Sequence, residues 1–209
     1  LTAGGRVTGI HTDRGDFHAG AVVLCTGART RRVGKLLGRD WDIHYVLGQA
    51  MVTEAVPLVL RCHIASASFF ERHEGGSAPG KVLANMAISQ SPHGHLLLGE
   101  AMLQADHFET SVPYPSLPGV ARAVARYFPS FGKLRALRGW CSPVAHTSDS
   151  CPWLGWVPGV DGLLIATAFR STVIITPLAG ETVAQLITQG KTDWNIDRFS
   201  PERNIEYAN

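Results

Sequence analysis

Three short stretches hold residue types that can do chemistry together. Thr26-Gly27-Ala28 closes an apolar run. Thr147-Ser148-Asp149-Ser150-Cys151-Pro152-Trp153-Leu154-Gly155 is a polar turn. Ala168-Phe169-Arg170-Ser171-Thr172-Val173-Ile174 follows a second apolar run, residues 162–167. The order around the third stretch is turn, apolar strand ending in small residues, short loop, helix. Such an order delivers a backbone loop and the positive end of a helix to an anionic or electron-rich cofactor. Arg170 would add a cation there, and Ser171 and Thr172 would add hydroxyl or backbone donors. Each piece also has a plain structural reading. Thr26-Gly27-Ala28 is a strand end, Arg170 a loop residue, Ser171 and Thr172 turn chemistry, and Asp149 and Gly155 turn formers.

The elements that must position these residues can be read from periodicity. Residues 6–10 and 15–17 alternate around Thr12-Asp13-Arg14-Gly15, a hairpin signature. Residues 19–25 form a nearly continuous apolar run, as in a strand covered on both faces of a parallel sheet, with Cys25 as a buried small thiol. Gly27 lets the backbone approach another group closely. Residues 29–37 read as a short basic helix stopped by Gly38. From Asp42 to about His146 the texture changes: strands are expected at 43–53, 58–64, 81–88 and 95–99, the last two around Ser91-Pro92-His93-Gly94. Residues 69–79 read as a loop. A helix is expected over 117–131, with Val120, Val124, Tyr127 and Phe128 inward and Arg122 and Arg126 solvated. Strands followed by a helix suggest an α+β domain inserted into the first. A buried strand at 163–167 then precedes a helix with Pro177 in its first turn, carrying Val183, Leu186 and Ile187 on one face and ending at Gly190. Residues 193–209 read as a surface tail.

Composition excludes several function classes. The 209 residues are 45% hydrophobic and 17% charged with a net charge of +2, which leaves no electrostatic footprint for nucleic acid and no disordered polyelectrolyte. Cys25, Cys62, Cys141 and Cys151 form no Cys-x-x-Cys pair, and read as reduced thiols of a cytoplasmic protein. His93 and His95 place two imidazoles on one strand face, without a third ligand, so no metal site is expected. His146 reads as a structural histidine. No run reaches the ~18 apolar residues of a membrane span, and nothing at the start resembles a signal peptide. The chain opens on Leu1-Thr2-Ala3-Gly4-Gly5 without an initiator Met, which suggests a fragment or a processed piece.

Four places together resemble the FAD-dependent amine oxidoreductases related to D-amino acid oxidase, glycine oxidase and sarcosine oxidase. They are Val22-Val23-Leu24-Cys25-Thr26-Gly27-Ala28; Gly48-Gln49-Ala50-Met51-Val52-Thr53; Leu96-Leu97-Leu98-Gly99-Glu100; and Trp140 followed by the 147–155 turn with residues 166–176 behind it. Within the family the chain is most similar to the FAD-bearing subunits of multi-subunit amine or opine dehydrogenases and of hydrogen cyanide synthase. The resemblance implies an α/β fold, part of a Rossmann-like FAD-binding domain with an inserted α+β antiparallel-sheet substrate domain. Residues 1–42 would end the FAD-binding domain, 43–146 form the substrate domain, 147–190 return to the FAD-binding domain and 191–209 form a tail. FAD would be the cofactor, held by Thr26, Gly27, Ala28, Asp149, Gly155, Ala168, Phe169, Arg170, Ser171, Thr172, Val173 and Ile174. Arg170 would lie near the flavin N1–C2=O edge, and Asp149 would hold its loop or meet a ribityl hydroxyl.

The departures bear on function. No Gly-x-Gly-x-x-Gly is present in these residues, and no acidic ribose-binding partner follows one; a fragment without it would bind FAD poorly. The 168–173 loop has fewer glycines than the family's. Val144 stands where several members place an Arg on the substrate carboxylate. The expected reaction is oxidation of an amino acid or secondary-amine acid, with hydride passing from the α-carbon to flavin N5 and the imine then hydrolysing. No catalytic residue is assigned. Electrons would leave to partner subunits or a respiratory carrier, in the cytoplasm or peripherally at the inner membrane. The alternative is a cofactor-free binding or assembly module that keeps the substrate-domain fold. A third reading, a chance match by another α/β ligand-binding protein, would be favoured by strands at 22–25 and 163–167 that do not lie in one sheet.

Overall fold

The computed structural model describes residues 1–67, 82–104, 116–169, 172–201 and 203. By its internal contacts the chain divides into two units, Leu1–His44 with Ala145–Asn209, and Tyr45–Val144.

The first unit begins with two small ribbons. β1 (Thr2–Ala3) pairs with β2 (Arg6–Val7) across Gly4 and Gly5, whose φ values of 57° and 80° suit the tight turn. β3 (Gly9–Thr12) pairs with β4 (Gly15–His18) as the expected hairpin. β5 (Val22–Leu24) leads into the helix α1 (Thr30–Leu36), which stops at Gly38 with φ 70°. A three-stranded sheet in the order β11-β12-β5 carries the unit, β11 being Trp153–Trp156 and β12 Leu163–Thr167. β12 runs antiparallel to β11 and parallel to β5, with Leu163 opposite Val22 and Ile165 opposite Leu24. The two strands therefore lie in one sheet, so the arrangement that would favour the chance-match reading is not found. The central strand buries Leu163, Leu164 and Ile165 in succession, as a strand covered on both faces must. Around it pack Val7, Leu24, Trp41, Ile43, Trp153 and Val157, with the Trp41 and Trp153 rings edge to face at 6.1 Å. Gly34 is where α1 meets Trp41: a Cβ there would stand 2.6 Å from the indole.

The second unit is a five-stranded sheet in the order β10-β6-β9-β8-β7. The strands are β6 (Ile43–Ala55), β7 (Ile64–Ala65), β8 (Val82–Gln90), β9 (His95–Gln104) and β10 (Ala136–Thr147). β8 and β9 form the expected hairpin around the 91–94 turn. The helix α2 (Ser116–Tyr127) covers one face; a Cβ at its Gly119 would stand 3.1 Å from the Ala84 methyl. Met51, Met86, Ile88, Leu96, Leu98, Val120 and Val124 fill the space between. Glu54 on β6 accepts the Arg135 backbone N–H at 2.9 Å and its guanidinium at 2.9 and 3.0 Å.

Several expectations need correction. Residues 58–63 are not a strand. The Gln90 amide oxygen takes the N–H groups of Val59 and Leu60, and its nitrogen donates to the carbonyls of Val56, Pro57 and Gly94, so one side chain replaces a ladder. β10 was not expected, because Pro143 and its sparse apolar residues hide a strand. The last helix, α3 (Thr172–Gln189), begins earlier than foreseen, and Pro177 lies inside it. The ring removes the N–H that the Val173 carbonyl would receive in a regular α-helix. Leu186 and Thr182 face inward, whereas Ile187 is 43% exposed. α2 ends at Tyr127 and gives way to a 3₁₀ turn over Pro129–Lys133; Tyr127 is exposed. Cys25 is exposed, because β5 is an edge strand that ends at Leu24. His93 lies in the turn, while the His95 imidazole meets the Thr53 carbonyl at 2.9 Å. The 69–79 loop and Lys81 lie outside the described residues.

The turn before β12 ties three strands at once: Val7 N–H donates to the Asp161 carbonyl and Val22 N–H to the Gly162 carbonyl. Gly162 has φ 75°, and a Cβ there would stand 2.5 Å from the Val7 carbonyl oxygen. Gly162→Ala should therefore lower stability by about 2 kcal/mol and the thermal midpoint by about 4–8 °C, measured by circular dichroism. An unchanged midpoint would refute the close approach.

Candidate functional site

The carboxyl ends of β5 and β12 lie side by side, and three threonines bind them. The Thr30 hydroxyl donates to the Gly27 carbonyl at 2.7 Å. It also lies 2.9 Å from the Thr26 hydroxyl and 3.1 Å from the Thr167 hydroxyl. A hydroxyl has one proton and two lone pairs, so with its proton given to Gly27, Thr30 accepts from both other threonines. Thr30 and Thr167 are buried, and Thr30 uses its whole hydrogen-bonding capacity. Neither was singled out in the sequence. The signals were present, as Thr30 stands one helical turn after Thr26 and Thr167 ends an apolar run.

Two unusual backbone positions sit at these ends. Gly27 has φ 51°, and a Cβ built on it meets no atom within 4 Å, so a ligand can approach that backbone. Ala168, buried just after β12, has φ 60°, a left-handed conformation that costs a residue with a Cβ of order 1 kcal/mol or more. Strain of this kind is held only where the surroundings impose it, and it re-aims the chain from β12 towards α3. The first turn of α3 contains no acidic residue, so the partial positive charge of its N–H groups is not offset by its own side chains. Ligands of α/β sheets gather outside the carboxyl ends of parallel strands, which is this place.

Among the expected cofactor residues, Thr26, Gly27, Ala28 and Ala168 are brought to this end. Phe169 follows Ala168 and is half-buried. Thr172, Val173 and Ile174 belong to the first turn of α3 rather than to a loop, and the Ile174 side chain is 83% exposed. Arg170 and Ser171 lie outside the described residues. Gly155 sits within β11 opposite Ile165, away from the strand end, and packs near Pro201.

Asp149 is committed elsewhere. Its carboxylate accepts the Cys151 N–H at 3.0 Å and two N–H groups of Arg203 at 2.6 and 2.9 Å. Arg203 also donates to the carbonyls of Cys151, Pro152, Phe199 and Ser200, with its guanidinium 5.9 Å from the centre of the Trp153 ring. Burial by itself would raise the Asp149 carboxyl. The hydrogen bonds from Arg203, the Cys151 N–H and the Thr147 hydroxyl, with the Arg203 charge, outweigh it and bring the carboxyl down to about 2. Asp149 thus holds its loop, and Arg203 shows that the expected surface tail is in part packed. Nothing in the tail's polar sequence marks Arg203.

Residues 1–186 match the family profile described as DAO, FAD dependent oxidoreductase. The chain belongs to this family. Among curated members, glycine oxidase of Geobacillus kaustophilus is 25% identical over 198 residues, covering 94% of this chain and 48% of that protein. Hydrogen cyanide synthase subunit HcnC of Pseudomonas aeruginosa is 23% identical, over 97% of this chain and 46% of its own. Sarcosine oxidase subunit beta of Rhodobacter capsulatus is 24% identical, over 98% and 47%. The chain spans about half the length of these relatives. The fold resembles that of the G. kaustophilus glycine oxidase crystal structure, with a TM-score of 0.78 at 24% identity over 96% of this chain and 50% of that one. It also resembles L-proline dehydrogenase from P. horikoshii, with a TM-score of 0.79 at 23% identity over 96% and 51%.

DAO family members depend on FAD, and the donor set of the first unit fits the ring end of that cofactor. Gly27 leaves open space above its backbone, and the first turn of α3 carries no acidic side chain. The Gly-x-Gly-x-x-Gly that holds a pyrophosphate is not among the 209 residues. Among the described residues no group of three or more His, Cys, Asp and Glu could hold a metal ion, and no helix is long and apolar enough to cross a membrane.

Because Asp149 and Arg203 are only 14% and 10% exposed, removing one partner strands the other. Arg203→Ala should cost about 3 kcal/mol at neutral pH. The sign of the pH dependence follows from the lowered carboxyl. The pair's contribution is complete above the ordinary aspartate range near 3.8 and is lost as pH falls through about 2. Urea titrations at pH 7, 4 and 2 should therefore show the gap between the two proteins closing in acid. A gap that stays constant would contradict the assignment.

Proposed function

We propose that the protein takes part in the FAD-dependent oxidation of an amino acid or secondary-amine acid, with the ends of β5 and β12 holding the flavin. The observation that carries this reading is the Thr26–Thr30–Thr167 clasp, which sets Gly27 and Ala168 beside each other where two parallel strands end. Family membership supplies the cofactor class. On this reading the first unit is the FAD-binding portion and the second the substrate domain.

Bound FAD supplies the acceptor for a hydride from the substrate α-carbon, and the imine product hydrolyses in water. The chain's own residues bind and orient. Gly27 gives its backbone to the ring without a side chain in the way. The N-terminal turn of α3, without acidic side chains, would favour the negative charge that builds up on reduction. Buried Thr30 and Thr167 keep the two strand ends in register. A dedicated base is not required, since the neutral amine is the reactive form.

The second unit buries the side-chain polar atoms of Gln49, Asn85 and Ser116 without a hydrogen-bond partner among the described residues. Each such group costs about 1–3 kcal/mol, a cost that a polar ligand or water removes, and this supports a binding role for that unit. Val144 stands where a carboxylate-binding Arg would, so a small amine acid would be held by other groups. Two of the relatives are named as subunits, which supports passing electrons to a partner subunit rather than mainly to oxygen.

The test is a visible absorption spectrum after incubation with excess FAD and removal of free flavin. It is run on this chain and on a form extended by any coding sequence upstream in frame. Retained flavin bands are expected in the extended form, and Gly27→Val should weaken retention about tenfold or more, because φ 51° strains a β-branched residue and its methyls occupy the ligand's space. Flavin in neither form, or a Gly27→Val protein that keeps its flavin fully, would overturn the reading.

A further inference from the structure

The first unit carries its positive charge unevenly. Residues 29–42 hold Arg29, Arg31, Arg32, Lys35 and Arg39 against Asp40 and Asp42, a local net charge of +3, whereas the whole chain carries +2. The rest of the molecule is therefore slightly acidic, and this short stretch is its basic pole. Its two carboxylates are engaged. Asp40 takes two N–H groups of Arg31 at 2.8 and 3.0 Å, and Asp42 accepts the Ser148 hydroxyl at 3.0 Å. The helix α1 sorts the remaining charges by side. At 3.6 residues per turn, positions 29, 32, 35 and 36 fall within an arc of about 120°. Thr30 and Gly34, both buried, and half-buried Val33 lie on the opposite side, where Gly34 meets Trp41. The outward stripe is Arg29, Arg32, Lys35 and Leu36, all exposed, and Leu36 is 81% exposed.

We propose that the outward face of α1 docks on the anionic surface of a lipid bilayer. A single exposed leucine is ordinary on a protein surface. Here it stands among three cations on one side of a helix, and a basic amphipathic helix with clustered Lys and Arg suits anionic lipid. The cations meet lipid phosphates, while Leu36 and the methylene stems of Arg32 and Lys35 enter the boundary between headgroups and acyl chains. Charge alone would also admit nucleic acid. The stretch offers no ring on which a base could stack, because its one aromatic residue, Trp41, is buried. A phosphate backbone also gives Leu36 nothing to enter. Few cations and one leucine make the attachment reversible and sensitive to salt. The inference does not rest on the amine-oxidation reading.

The experiment is flotation of the purified chain with vesicles of phosphatidylcholine, alone or with about half of the lipid replaced by phosphatidylglycerol. Binding is expected to the mixed vesicles only, falling about tenfold or more as salt rises from about 0.05 M to about 0.5 M. Arg32→Glu combined with Lys35→Glu should weaken it about tenfold or more. Leu36→Ser, which leaves every charge in place, should weaken it about threefold. Arg14→Glu combined with Lys191→Glu changes the net charge equally but leaves α1 intact, and should keep binding within about twofold. Circular dichroism checks that each variant is folded; if the α1 double variant is not, Leu36→Ser and the salt series decide. Equal binding to phosphatidylcholine vesicles, binding untouched by charge reversal on α1, or an equal loss in the control pair would each overturn the proposal. Transfer RNA held more tightly than the vesicles, with Leu36→Ser unchanged, would assign the face to nucleic acid and overturn it as well. Flavin takes no part in the measurement, so its outcome is independent of the FAD test.

Discussion

The first unit depends on the parallel pairing of β5 with β12. Thr30 and Thr167 meet although 137 residues separate them, and the candidate site is built on that meeting. A parallel pair cannot be closed by a tight turn; it needs a long crossover, and here the crossover contains an entire second unit. Once the strands align, their carboxyl ends coincide. The left-handed turn at Gly27 and the left-handed residue Ala168 then stand together at the same end of the sheet.

The hydrogen bonding at this junction centres on Thr30. Thr30 uses its proton and both lone pairs, and its partners are buried or lie on the turn. A fully satisfied buried network is rigid, whereas a partly satisfied one would be costly. The Arg203 network has the same character and holds the β11 turn. One guanidinium serves a carboxylate and four carbonyls, and the planar, multi-donor geometry of Arg is what makes this feasible. The two networks secure the two turns that flank the sheet.

Much of the architecture was legible in the residues. The β3–β4 and β8–β9 hairpins, β12, α1 and most of α2 were legible because each is specified locally, by alternation, by a continuous apolar run or by a glycine stop. What failed did so for stated physical reasons. Residues 58–63 open on the apolar run Leu58-Val59-Leu60, but the Gln90 side chain takes the Val59 and Leu60 N–H groups. β10 carries Pro143 and few apolar residues, so only pairing with β6 reveals it. Pro177 reads as a helix start, but α3 extends a full turn before it and leaves the Val173 carbonyl without its helical N–H. Cys25 sits in a buried-looking run that ends one residue too early, at an open sheet edge.

For the site, residue identities by themselves determined the family pattern, the turn at Gly27, the strand and helix that bracket residues 168–171, and the absence of a pyrophosphate fingerprint. These are local properties of backbone freedom and hydrophobic spacing, and they survive translation from chain to fold. The roles of Thr30, Thr167 and Arg203, and the commitment of Asp149 to an ion pair, were decided only in three dimensions. Each depends on which distant groups meet once β5 and β12 are paired, and side-chain hydrogen bonding between segments more than a hundred residues apart leaves no periodic trace in a single sequence.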